Sequence, residues 1–510
     1  MHWADKVAKE VVASRKYKPY WVDDMKTPSG FAHVGSMMGP VIHSCIFRAL
    51  RDVSVDAEFT FVINDFDPAD DLLPELGEKY KQYLGVPLKL APSPDPKFKS
   101  MADLYSNDFI NTFRKLGVEA KILSSWEMYH QGKFDNVIKV ALDNTEKIQN
   151  IYRKISGSKK KEKDWLPFQV ICEKCGKLGT TRVFSWDGEK VSYVCEPNMV
   201  TWAKGCGHTG KISPFGGNGK LPWKVDWAAH WKVIGVTIEG AGKDHASAGG
   251  SYDIAMSLVK DIFGAEKPYK LPYEFILIGG RKMSSSKGIG LKAHDLFEVL
   301  PISVARFLFV GTDIKSQSNF NPVDSMAIPD LFDAYDKAWG KCERSFVLSQ
   351  VGKVPKKGKI FKPRFRDVAN YIQQPSVDIY KKFEGEKGED LSQKEKDLID
   401  ERIKFAKVWL EKYAPKEKIL SLTEKVPKEI NKLSSKQKQY LKKVVEIIEG
   451  EKNPEKLQVK LYDLSKDIGL TTKDAFASIY ITLIGKSHGP KAAWFLLENK
   501  KEAIERLRKV

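Results

Sequence analysis

Four short stretches carry residue types that could do chemistry. Residues 27–36, TPSGFAHVGS, combine Pro28, Gly30 and Gly35, which permit a tight bend and close approach of a ligand to the backbone, with His33, an imidazole donor. Free N–H groups at the start of a following helix would favour an anion such as phosphate. Taken alone, the string fits an ordinary loop histidine equally well. Residues 279–288, GGRKMSSSKG, pair lysines with three serines and three glycines, a loop able to wrap a triphosphate. A third turn is Gly242-Lys243-Asp244-His245. The fourth stretch holds Cys172 and Cys175 in a C-x2-C pair, then Cys195, then Cys206 in GCGH. Four thiolates satisfy tetrahedral zinc with no open position, so the expected Zn2+ is structural, in a ribbon or knuckle, with Cys206 or His208 as fourth ligand.

These groups need elements to hold them. Residues 19–25, PYWVDDM, read as a strand, and residues 37–50 as a helix with Met38, Val41, Ile42, Cys45, Ile46 and Leu50 on one side, so the first turn sits where a strand feeds a helix. Residues 57–64, AEFTFVIN, form a second strand. It runs into Asp65 and Asp67, which are either site carboxylates at a strand end or caps of a turn. Residues 101–116 and 134–152 read as helical, with a strand-like piece at 120–123. SGSKKKEKD, residues 156–164, is a solvated linker or a basic RNA-facing loop. Strands are expected at 181–186, 190–194, 233–238 and 275–278, and a helix at 251–263. Trp223, Trp227 and Trp231, spaced by four, are core on a helix or an aromatic pocket for a cationic group. Beyond about residue 324 the pattern is helical, with Leu398, Ile399, Ile403, Ala406 and Leu410 in one set and Leu441, Val444, Val445 and Ile448 in another, and lysines on the opposite faces.

A chain of 510 residues is too long for one core, and 42% hydrophobic with 29% charged residues describes a globular protein rather than a disordered one. The surplus of 84 Lys and Arg over 66 Asp and Glu, a formal charge of +18, suits a polyanionic partner or plain solubility. Six cysteines, four of them clustered, argue for metal rather than a disulfide framework. No run reaches membrane-spanning length and the charged N-terminus has no apolar signal core, so a cytoplasmic location is expected.

The P-S-G-x-x-H-x-G turn and KMSxS more than two hundred residues later resemble the paired signatures of class I aminoacyl-tRNA synthetases. TPSG, the block GKLPWKVDWAAHW, GKDH followed by SYD, PYEF before KMSSSKG and the closing IYITLIGKSHGPKAAWFL look like the class I lysyl-tRNA synthetases typical of archaea, over nearly the whole chain. The resemblance implies an α/β fold with a Rossmann-type parallel sheet split by a zinc-containing insertion and followed by an all-α C-terminal domain. The expected division is a first Rossmann half at 1–95, an insertion at 96–220, a second half with the KMSSS loop at 221–300, a connecting region at 301–350 and an α-helical anticodon-binding domain at 351–510. It also implies ATP and Mg2+, formation of lysyl-adenylate from L-lysine, and transfer to the terminal adenosine of lysine tRNA, with tRNA generally bound first. A monomer and no membrane association are expected.

By the same resemblance, His33 would stabilise charge on the phosphates, and Lys282, Ser284, Ser286 and Lys287 would share the catalytic role as pyrophosphate leaves. Pro28, Gly30, His33, Gly35, Ser36, Gly242, Asp244, Lys282, Met283 and Ser285 would bind ATP, and Thr27, Trp223, His245 and Tyr273 the lysine. The chain departs from the pattern at Ser36, where most class I enzymes have His or Asn, at Ser285, where a lysine is usual and for which Lys287 would substitute, and at Met25, where a small residue is usual. The competing readings are a class I synthetase for another amino acid, such as glutamate, and a non-catalytic tRNA-binding paralogue.

Overall fold

In the computed structural model, described for residues 1–157, 165–281, 291–355, 360–374, 377–420, 422–423 and 425–510, the chain divides into two compact units. The first comprises Met1–Asn321 with Lys337–Lys356, and the second Pro322–Asp336 with Lys357–Val510. Residues 322–336, expected in a connecting region, therefore belong with the helical unit, and the boundary falls inside the helix Ala327–Lys341.

The first unit is built on a five-stranded sheet. Three of its strands are β1 (Tyr20–Lys26), β2 (Ala57–Ile63) and β3 (Lys121–Ser124); the others are Ile238–Gly242 and Tyr269–Tyr273. The spatial order is Tyr269–Tyr273, Ile238–Gly242, β1, β2, β3, with every neighbouring pair parallel. Numbered along the chain this is 3-2-1-4-5, the Rossmann order, whose direction reverses between β1 and Ile238–Gly242. Ligands bind in such sheets at the carboxyl ends of the strands flanking that reversal.

The central strands are covered on both faces. Helix α1 (Trp3–Ser14) and helix α2 (Met38–Asp52) pack together; α2 buries Val41, Ile42, Cys45, Ile46, Ala49 and Leu50 and also contacts β1, with each such large apolar side chain worth about 1.5–3 kcal/mol. Trp21 and Met25, on the other face of β1, join a core with Trp227, Trp231 and Tyr252 from the helices Trp223–Ile234 and Ser251–Asp261. Trp227 and Trp231 are thus core, while Trp223 on the same helix is 46% exposed.

The structure departs from the sequence reading at four points. The strand placed at 233–238 lies later, at Ile238–Gly242, because the helix starting at Trp223 continues to Ile234 and Gly235 ends it in the left-handed region at φ 87°. The fifth strand, Tyr269–Tyr273, was not foreseen: Pro272 breaks the strand pattern, and it is tolerated because this strand is an edge. Residues 276–277 pair with Ser318–Asn319 in a separate two-stranded sheet. Finally, β3 pairs with β2, so the helix α3 (Met101–Lys115) and β3 belong to the Rossmann layer although they lie inside the 96–220 stretch assigned to the insertion.

The insertion proper carries the helices Asp135–Asp143 and Thr145–Ser156, then an antiparallel three-stranded sheet of Thr181–Trp186, Val191–Cys195 and Thr209–Ile212. In the second unit the helices Ser435–Gly450, Pro454–Asp467 and Thr472–Ile484 bury Tyr440, Leu441, Val444, Ile448, Leu461 and Leu483 in one core. Among the described residues, no helix is long and apolar enough to cross a membrane.

Candidate active site

The turn after β1 folds as the sequence suggests. His33 caps the short 3-10 turn Val34–Met37, its Nδ1 accepting the Ser36 N–H at 3.1 Å. Because Nδ1 is the acceptor, Nε2 carries the proton in the neutral ring and is a donor. The segment after the KMSSS loop is tied to this turn: Val34 N–H donates to Leu291 O at 3.0 Å and Ala293 N–H to Ala32 O at 2.8 Å, with His33 bridged to Lys292. Lys282, Met283, Ser284, Ser285, Ser286 and Lys287 lie outside the described residues.

Across the reversal point, His43 braces α2 to the next strand. Its Nε2 accepts the Gly240 N–H at 2.7 Å and its Nδ1 donates to Gly39 O at 2.7 Å. A Cβ on Gly240 would stand 2.9 Å from Leu271 O, so only glycine allows this approach.

Two adjoining cavities open between these elements. The smaller, about 240 Å³, is lined by His33, Gly35, Ser36, Gly242 and Asp244, together with Lys26 and Phe275. The larger, about 640 Å³, is lined by Thr27, Trp223, His245 and Tyr273 with Trp227, Glu239 and Lys220. Asp24, Met25, Lys26, Gly242, His245 and Tyr273 border both. Pro28 and Gly30 shape the turn and line neither cavity. The His245 ring lies edge-on to Trp223, centroids 5.4 Å apart, and Trp223 stacks on Trp227 at 5.7 Å. Met25, a departure from the usual small residue, forms part of the wall and accepts a contact from Asn64 Nδ2 at 3.6 Å.

A charged network that the sequence did not reveal supports the larger cavity. Thr27 Oγ1 donates to Asp67 Oδ2 at 2.5 Å. The buried Lys220 ammonium reaches Asp67 Oδ1 at 2.5 Å and Asp226 Oδ2 at 2.9 Å, and Tyr129 OH donates to Asp226 Oδ1 at 2.5 Å. Burial disfavours the Lys220 charge, but Asp226 and Asp67 outweigh it and raise its pKa, so the amine stays protonated. Asp65, by contrast, is structural: it accepts from the Ser124 hydroxyl at 2.7 Å and the Trp126 N–H at 2.8 Å, tying β2 to the helix after β3. Of the two candidate carboxylates in DFDP, only Asp67 faces the cavity.

In the insertion, the Sγ atoms of Cys172, Cys175, Cys195 and Cys206 lie within 4.8 Å of one another, with Cys172–Cys206 and Cys175–Cys195 each at 3.6 Å. Four sulfurs around one zinc at ~2.3 Å would sit roughly 3.8 Å apart, so the set fits that ion. The Cys195 sulfur also accepts the Cys206 N–H at 3.3 Å. The fourth group is Cys206; the His208 ring lies against Tyr193, centroids 6.0 Å apart, outside the cluster. Between Cys195 and Cys206 the chain sends Met199, Val200 and Trp202 to the wall of the larger cavity.

The sequence profile of tRNA synthetases class I (K) matches residues 1–357. The chain belongs to the class I lysyl-tRNA synthetase family. Curated relatives extend the likeness beyond the profile: a lysine–tRNA ligase of Archaeoglobus fulgidus is 32% identical, covering 97% of each chain. One from Methanosarcina acetivorans is 34% identical over 97% of this chain and 96% of its own, and one from Methanocaldococcus jannaschii 33% over 99% of each. A glutamate tRNA ligase structure from Elizabethkingia meningosepticum aligns over 96% of this chain and 99% of its own, at 11% identity and a TM-score of 0.44. Lys26, Lys220, Asp226 and Glu239 were missed because no local motif marks them, whereas Asp67 was one of the two carboxylates singled out in DFDP. Lys220 and Asp226 do fall inside GKLPWKVDW, which is the one sequence signal that could have drawn attention to them.

Proposed function

We propose that the protein is a lysyl-tRNA synthetase. It activates L-lysine with ATP, the lysine carboxylate attacking the α-phosphate to give lysyl-adenylate and pyrophosphate, and then transfers lysine to the terminal adenosine of lysine tRNA. The observation that carries this reading is the convergence of Thr27, Trp223, His245 and Tyr273 on one cavity, beside the His33 turn, in a chain alike over its full length to lysine–tRNA ligases. Lysine takes the larger cavity and ATP the smaller. Catalysis is then positioning and electrostatics, with no protein nucleophile. His33 Nε2 and the Lys282, Ser284, Ser286 and Lys287 loop hold charge on the phosphates, with Mg2+ entering on the triphosphate. The buried Ser36 hydroxyl, which has no partner among the described residues, is a further donor for ATP. The helical unit reads the anticodon.

Pyrophosphate exchange with each amino acid, with total tRNA present, tests the assignment: lysine is expected to be activated and glutamate not, and the reverse result overturns it. The four thiolates hold structural Zn2+ in this reading. Metal analysis is expected to give one equivalent of zinc per chain. Stripping it with a chelator should lower the thermal midpoint and, through residues 199–202, raise the KM for lysine about tenfold or more with little change for ATP. Less than half an equivalent, with stability unchanged after chelation, would remove zinc from the ribbon.

A further inference from the structure

A pocket for lysine must receive an ammonium ion at its far end, and the carboxylates around the larger cavity are not equivalent. Asp67 and Asp226 share the Lys220 ammonium, and each also accepts a hydroxyl, from Thr27 and Tyr129 respectively. Asp24 belongs to the opposite face of β1, where it accepts the Met25 N–H and lies 3.6 Å from His43 Nδ1. Asp70 is exposed at the rim. Glu239 remains. It is fully buried at the cavity wall, and each carboxylate oxygen takes one neutral indole donor, Trp227 Nε1 to Oε1 at 2.7 Å and Trp231 Nε1 to Oε2.

A second carboxylate stands beside it. Val22 pairs with Ile238 in register, so Asp23 and Glu239 are lateral neighbours on one face of the sheet. That face also carries Met25, one pleat closer to the cavity. Asp23 is 0% exposed; its Oδ1 accepts the Thr60 hydroxyl at 2.5 Å, while its Oδ2 has no partner among the described residues. Neither acid forms an ion pair among the described residues. Two buried like charges without a cation are strongly unfavourable. Burial accordingly pushes Glu239 up to about 8, and burial followed by Glu239 raises Asp23. An arriving ammonium supplies the missing charge, and the walls of Trp223, Trp227 and Met25 suit a methylene chain leading to it.

Building on the lysine-activating reading, we infer that Glu239, reinforced by Asp23, receives the side-chain ammonium of the substrate and makes the pocket selective for lysine. Asp23→Asn keeps the Thr60 bond and the volume but removes a charge. It is expected to raise the lysine KM about tenfold or more in tRNA-dependent pyrophosphate exchange, to leave the ATP KM unchanged, and to hold or raise the thermal midpoint. Glu239→Gln is expected to cut lysine kcat/KM by about 30-fold or more, as removal of one partner from a desolvated charge pair does. In both variants the preference for lysine over 6-hydroxynorleucine, its neutral isostere, should shrink. If that preference stays at the wild-type ratio, whether or not overall activity falls, the assignment is overturned; should Glu239→Gln not fold, Asp23→Asn decides alone. A wild-type protein that activates no lysine overturns the synthetase reading instead, so the two failures are distinct.

Discussion

His33→Ala is expected to slow tRNA-dependent lysine activation by about 10²- to 10³-fold, with little change in the KM for lysine. The size follows from what the ring does. Its Nδ1 is committed to the Ser36 N–H, which leaves Nε2–H as a fixed donor at the smaller cavity, and a donor preorganised for charge that grows in the transition state is worth far more than one that water must supply. The substitution also removes a cap from the turn Val34–Met37, at about 1 kcal/mol of stability. His33→Asn separates the two effects. Asparagine restores a capping oxygen, so the thermal midpoint should recover while the rate stays low. A rate within threefold of wild type for His33→Ala would mean that the ring is only a cap.

Lys220→Met is expected to destabilise the first unit by about 3–5 kcal/mol. The change leaves methylenes of similar volume but strands Asp226, whose side chain is 4% exposed, and Asp67 without their shared cation. Breaking one partner from a buried pair is far more damaging than removing the whole pair, since the uncompensated charge remains. The double variant Lys220→Met with Asp226→Asn should therefore regain a large part of the loss. Chemical denaturation of the four proteins in this cycle measures the coupling. If the single variant loses less than about 1 kcal/mol, the network is a surface-like pair and the wall it supports is held by packing alone. The same variant should raise the lysine KM, because Asp67 also holds the Thr27 hydroxyl.

The second unit invites a different kind of comparison. Its apolar sets in the sequence, Leu398 to Leu410 and Leu441 to Ile448, lie on the helices Gln393–Lys412 and Ser435–Gly450, both started by serine capping boxes. Those helices were legible because periodicity, caps and apolar faces agree. The Rossmann layer was less so. Short parallel strands buried on both faces have no alternating pattern to read, and the Pro272 edge strand contradicts the usual signal.

By itself the sequence determined the chemistry kept in contiguous residues: the His33 turn, the C-x2-C pair with its two further cysteines, the GKDH turn and the helical C-terminal part. In each, the backbone conformation or the ligand set is local, so spacing is informative. The tertiary structure alone decided which charges meet. Thr27 reaches Asp67, Lys220 joins Asp67 to Asp226, His43 braces Gly240, and Asp23 stands beside Glu239 only because parallel strands far apart in sequence align in register. Parallel pairing fixes such neighbours through hydrogen bonds between distant segments, and those bonds leave no period in the chain. The four-cysteine cluster likewise depends on tertiary structure, through the turn that brings Cys206 back to the Cys195 sulfur.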